Sequence, residues 1–258
     1  MSASNSTWII LGATSSMARA FARQMAETGA AVFVAGRDMD DLTALAADLD
    51  ARGAASAAAL RFDAEDPDGF PAILSTLEAT QGPLNAAVFV GWMPSQAEVD
   101  ADPALIDRVA AANYTGPARF LHALAPLIEA RGGTVVGVTS VAGDRGRFSN
   151  YVYGSAKAGF ATYLSGLRNR LNRSGAHVVT VKPGFVDTSM TWGVEGMFLV
   201  AGAGEEHCES GREERDLTPG FWWIIDHSSW CRNGSSRNCR SEGIAPLVSM
   251  YPVAVLRT

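Results

Sequence analysis

Six short apolar runs punctuate the first 184 residues: Trp8–Leu11, Ala31–Ala35, Ala58–Phe62, Ala86–Val90, Thr134–Val138 and Val178–Val181. Each has the length of a strand and none alternates with polar residues, a pattern that predicts strands buried on both faces. Between them lie Ala-rich amphipathic stretches long enough for helices, among them Met17–Thr28, Asp41–Asp50, Pro103–Ala130 and Tyr153–Ser174. Strand and helix in alternation predict an α/β class, a doubly wound parallel sheet within a single domain. Right-handed crossovers then gather the carboxyl ends of the strands at one edge, where ligands bind in such sheets. From Gly202 to Gly243 both periodicities vanish except at Phe221–Ile225, while charge, Ser and all three Cys accumulate. The expected division is a nucleotide-binding catalytic core over 1–190 and a substrate lid with an atypical tail over 191–258.

Composition narrows the class. With 258 residues, 47% hydrophobic and 19% charged, the chain is long enough to bury one sizeable core. A net charge of -6 gives no broad attraction to nucleic acid or anionic lipid, and no nucleic-acid motif is present. The short polar start, Met1 to Thr7, runs straight into a strand, and no apolar stretch reaches spanning length. The expectation is therefore no leader, no integral membrane segment and a cytoplasmic location. Cys208, Cys231 and Cys239 are odd in number and crowded together, a poor basis for a disulfide framework.

The chemistry concentrates in Tyr153-Gly-Ser-Ala-Lys157. Residues four apart share a helix face, so a helix from about Ser149 points the phenol and the ammonium the same way. A neighbouring ammonium is expected to lower the phenol pKa and ease proton exchange. Ser140, at a strand end, would hold a carbonyl oxygen. Taken alone, a Tyr and a Lys at this spacing can equally sit idle on an exposed helix.

The first strand-to-helix turn, Leu11-Gly-Ala-Thr-Ser-Ser-Met-Ala-Arg19, puts Gly12, Ser16 and Ala18 where a dinucleotide fold has three small residues. Backbone amides about Thr14, Ser15, Ser16 and Met17 would receive pyrophosphate, although such a turn can also simply cap a helix. At the end of the second strand Gly36 stands where an acid would hold ribose hydroxyls, and Arg37 follows, as suits a 2′-phosphate. That prefers NADP over NAD; the plainer reading is a solvated Arg37 beside a helix cap, Asp38. Asp63 could meet an adenine amino group or cap the next helix.

On these residues the chain resembles the short-chain dehydrogenase/reductase family, with its Rossmann fold, from Trp8 to about Met190. The resemblance rests on the turn at Gly12 to Ala18, Asn113 in Ala-Ala-Asn-Tyr-Thr-Gly, Ser140 in Val-Thr-Ser-Val-Ala-Gly, Tyr153 with Lys157, and Lys182-Pro-Gly-Phe-Val-Asp-Thr188. It implies an oxidoreductase passing a hydride between NADP(H) and a small keto or hydroxy substrate, with no metal. By the same resemblance Tyr153 is general acid or base, Ser140 orients the carbonyl, Lys157 binds the nicotinamide ribose, and Asn113 supports a water relay. Gly91 would contact the adenosine side, and Pro183, Gly184, Val186 and Thr188 the nicotinamide. Homodimers or homotetramers through the helices over 103–130 and 153–174 are implied too.

Departures are visible. The family's frequent Asn-Asn-Ala-Gly is replaced by Val88-Phe-Val-Gly-Trp92. The Gly-Ala-Thr-Ser turn and Thr218-Pro-Gly-Phe-Trp-Trp-Ile-Ile225 resemble a bacterial subgroup related to decaprenylphosphoryl ketoribose reductases, implying a polar or lipid-linked keto substrate. Trp192, Met197 and Phe198 are pocket or core residues, and Pro246 to Leu256 would make an edge strand. The tail has three readings: a long lid, a metal site from His207, Cys208, His227, Cys231 and Cys239, or a frame-shifted segment. No CxxC pair supports the metal, and the frame shift is preferred. A catalytically silent NADP-binding regulatory or interaction protein is the rival function, and the broken product of a disrupted gene a third.

Overall fold

The computed structural model describes residues 6–184 and 223–226. Seven strands form one sheet: β1 (Thr7–Leu11), β2 (Ala31–Gly36), β3 (Ser56–Arg61), β4 (Leu84–Val88), β5 (Thr134–Val138), β6 (His177–Pro183) and β7 (Trp223–Asp226), in the order β3-β2-β1-β4-β5-β6-β7. The first six run parallel, and β7 lies antiparallel on β6. That last strand overlaps Phe221–Ile225, the one stretch between Gly202 and Gly243 where an apolar run survives. The helices are α1 (Ser16–Glu27), α2 (Met39–Ala51), α3 (Phe70–Glu78), α4 (Gln96–Ala101), α5 (Leu105–Ala110), α6 (Gly116–Arg131) and α7 (Tyr151–Leu171).

The central strands β1, β4 and β5 are buried on both faces, which is why they read as unbroken apolar runs. Side chains alternate across it: Trp8 and Ile10 of β1 join Phe21, Met25, Leu42 and Leu49 from α1 and α2, whereas Ile9 and Leu11 join Ile73, Phe120, Phe160 and Leu164 from α3, α6 and α7. Each fully buried large side chain stabilises by about 1.5–3 kcal/mol relative to exposure. The strand order reverses between β1 and β4, so a crevice opens beyond their carboxyl ends.

Most boundaries shift by one to three residues, and three of the differences bear on the site. The expected strand Ala58–Phe62 is Ser56–Arg61, and Ala86–Val90 is Leu84–Val88, so Phe89 and Val90 leave the sheet for the crevice. The helix expected over 103–130 is three pieces, α5 and α6 joined by a π turn at Ala111–Thr115. Pro117 explains part of that break, having no N–H to give the Asn113 carbonyl in an α-helical turn. Val186, Thr188, Trp192, Met197, Phe198, the His/Cys group and Pro246–Leu256 lie outside the described residues. Among the described residues no helix is long and apolar enough to cross a membrane.

Candidate active site

The β1–α1 turn follows from two local constraints. Gly12 has φ 74°, and a Cβ there would meet Val90 N at 2.9 Å and Phe89 C at 3.0 Å, so only glycine lets the β1 and β4 ends approach. Ser15 is the N-cap of α1, its Oγ accepting from Ala18 N at 3.2 Å. The N–H groups of Ser16 and Met17 lie earlier in the helix than any intrahelical acceptor and remain for an anion at this positive end. Thr14 and Ser16 are exposed beside them, Met17 is partly buried, and Ala18 is fully buried against β1. A pyrophosphate therefore fits this turn.

Arg37 is exposed just past β2, and its carbonyl accepts from Arg61 Nη1 at 3.1 Å. Asp38 caps α2 through a bond from Asp41 N. Asp63 closes a turn by accepting from Glu65 N at 3.0 Å through Oδ1. The capping reading is thus realised for Asp38 but not for Asp63: the next helical turn, Pro67–Gly69, is capped by Asp66, and Asp63 Oδ2 accepts no hydrogen bond among the described residues.

Beyond β5 the 140–143 turn sets Ser140 against α7. Ser140 Oγ accepts from Ala142 N at 3.1 Å, which leaves its O–H to donate to the Tyr153 phenol. Gly143 and Gly154, which spacing alone did not single out, make this possible: a Cβ on Gly154 would sit 2.5 Å from Ala142 O, and one on Gly143 2.8 Å from Ala158 N. The two backbones touch there.

Lys157 is 3% exposed, and its Nζ donates to Val90 O at 3.0 Å and Val138 O at 3.4 Å. The ammonium lies 5.8 Å from the Tyr153 ring centre. Burial pushes Lys157 down to about 8. It pushes Tyr153 up to about 12, with the Ser140 hydrogen bond working the other way. The depressed phenol expected from the Tyr–Lys spacing is therefore not what the chain alone produces. Desolvation of the phenolate wins, and Lys157 has lost its proton before the free phenol ionises.

Asn113, fully buried in the π turn, accepts from Trp92 N at 3.1 Å and donates to Trp92 O at 2.7 Å and Val109 O at 2.9 Å. Both its N–H bonds are spent, so the side chain holds the loop after β4 and the kink between α5 and α6. Pro183 ends β6, anchored where Thr139 N donates to Val181 O at 2.8 Å, and Gly184 follows it. Lys182 Nζ meets Asp144 Oδ1 at 2.7 Å, tying the Ser140 turn to this segment. The structure thus gathers Gly12, Gly91, Asn113, Ser140, Tyr153, Lys157 and Pro183 around one crevice, with Arg37 and Asp63 at its β2–β3 end.

A family model described as short chain dehydrogenase matches residues 6–197. An uncharacterised oxidoreductase of Mycobacterium tuberculosis is 36% identical over 188 residues, covering 72% of this chain and 75% of that protein. A sulfoacetaldehyde reductase of Chromohalobacter salexigens is 30% identical over 218 residues, covering 82% of this chain and 81% of that protein. Among solved structures, a short-chain dehydrogenase from Sphingobium yanoikuyae in complex with NADPH superposes with a TM-score of 0.63 at 28% identity, covering 76% of this chain and 79% of that one.

Proposed function

The chain belongs to the short-chain dehydrogenase/reductase family, oxidoreductases that transfer hydride with a nicotinamide cofactor, and on that premise we propose that it reduces a carbonyl compound, or oxidises the corresponding alcohol, with NADP(H) and Tyr153 as acid and base. The observation that carries the reading is the junction of Ser140, Tyr153 and Lys157 at the carboxyl ends of β4 and β5. The nicotinamide cofactor, when bound, would supply the hydride. The chain's part is to hold the carbonyl between two hydroxyls: Ser140 donates to the oxygen, and Tyr153 donates to it and then releases its proton. Lys157, anchored on Val90 and Val138, offers its remaining N–H to a ribose and its charge to the nascent phenolate. Asn113 acts through the loop it clamps. In this reading residues 1–190 form the catalytic core.

The pH dependence follows from the two burial shifts. Tyr153 keeps its proton throughout the neutral range, as reduction requires, whereas Lys157 loses its charge as pH rises through about 8. The value of kcat/KM for ketone reduction, which reports the free enzyme, is expected to fall above that pH. Lys157→Met is expected to lower the rate and remove this limb; a variant that keeps the limb would assign it elsewhere.

Preference for NADP rests on Arg37, with Gly36 where an acid would otherwise select NAD. A guanidinium–phosphate bond is worth about 1.5–3 kcal/mol, so Arg37→Ala is expected to weaken NADPH binding by roughly 10- to 100-fold and leave NADH binding unchanged. Fluorescence titration of both cofactors measures this. Tighter binding of NADH than NADPH by the unaltered protein would remove Arg37 from the site.

A further inference from the structure

Lys157 and Asn113, two of the four catalytic candidates, hold the two ends of the segment from Val90 to Trp92. Lys157 holds Val90 by its carbonyl, and Asn113 holds Trp92 by both its N–H and its carbonyl. The Trp92 side chain is fixed as well: the Arg108 guanidinium lies 4.6 Å over the indole, and Arg108 Nε is anchored on Glu65 Oε2 at 3.0 Å. The loop backbone is held at Val90 and at Trp92, and the indole carries a cation over one face.

The indole is held against the reacting centre. Trp92, Met93 and Val152, all partly buried, pack on the cluster of Val109, Ala142, Tyr153 and Ala156. The cation that lies over the indole, Arg108, is bonded to Glu65. The indole face offers apolar area and no acceptor to satisfy a substrate hydroxyl.

We propose that Trp92 is a specificity-determining residue, the rigid wall of the substrate pocket beside Tyr153, and that it selects a carbonyl flanked by an apolar group of aryl size over a small hydroxylated carbonyl. The proposal rests on the role given to Tyr153 above. An aryl group gains by burying area against the indole, and a hydroxyl placed there loses its water without a replacement.

The test is the ratio of kcat/KM for acetophenone to that for hydroxyacetone, measured on one preparation so that any inactive fraction cancels. The unaltered enzyme is expected to favour acetophenone. Trp92→Ala is expected to cut the ratio by about tenfold or more, Trp92→Phe to retain most of it, and Arg108→Ala to cut it by less than Trp92→Ala. NADPH affinity, read by titration, is expected to hold in all three. Preference for hydroxyacetone in the unaltered enzyme, or a ratio that survives Trp92→Ala, overturns the proposal while leaving the Tyr153 reading intact. Turnover of neither ketone nor any other carbonyl counts against that reading and takes this one with it.

Discussion

Tyr153→Phe is expected to lower kcat for carbonyl reduction by about 10²- to 10⁴-fold, the usual contribution of a positioned acid, with NADPH affinity and melting temperature held. The substitution removes one oxygen from a buried ring that otherwise keeps its packing against Val109, Ala142 and Ala156. Ser140 loses one acceptor and retains its bond from Ala142 N, so the fold loses no more than about 1 kcal/mol. Binding with no chemistry is the expected signature. It separates loss of the acid from loss of the site, and NADPH consumption alongside cofactor titration reads both.

Gly154→Ala is expected to have the next largest effect, through position rather than chemistry. Its new methyl would fall 2.5 Å from Ala142 O, a backbone atom that cannot rotate away, so the turn bearing Ser140 must retreat from α7. A displacement of about 1 Å at reacting groups costs on the order of 10²-fold in rate, and overpacking of this kind costs about 1–3 kcal/mol in stability. Gly166→Ala serves as the control in the same helix: no atom lies within 4 Å of the added Cβ, and removing a helix glycine should stabilise by roughly 0.5–1 kcal/mol. Thermal melts and kcat for the pair distinguish a local clash from general sensitivity of α7 to alanine. Equal activity in both would mean that the Ser140–Tyr153 approach is not needed.

The residues that were legible in the sequence are those whose neighbours in space are neighbours along the chain. β1 reads to within one residue because all five of its residues are buried and the four from Trp8 to Leu11 are apolar, and Tyr153 and Lys157 because one helix presents both. β3 slipped because an edge strand of alanines, exposed at both ends, offers little contrast at its boundaries. β4 ended early because Val90 is drawn off the sheet edge by Lys157, a contact spanning 67 positions that no local pattern records. The break at Asn113 is similar: Pro117 was visible, but the partner that makes the π turn useful is Trp92, 21 positions away. α4 was missed although its capping box, Ser95 with Glu98, is written plainly as Ser-x-x-Glu. The pKa of Tyr153 could not be read from spacing, because it depends on how deeply the phenol is buried and not only on which charge stands beside it.

Transfer of label decides the central claim most directly. With NADPH carrying deuterium at the nicotinamide C4 and a ketone substrate, the unaltered enzyme is predicted to deliver deuterium to the carbinol carbon, and Tyr153→Phe to bind the same NADPH without delivering it. Tight NADPH binding with no labelled alcohol from any carbonyl offered to the unaltered enzyme would contradict the account, as would undiminished delivery by Tyr153→Phe.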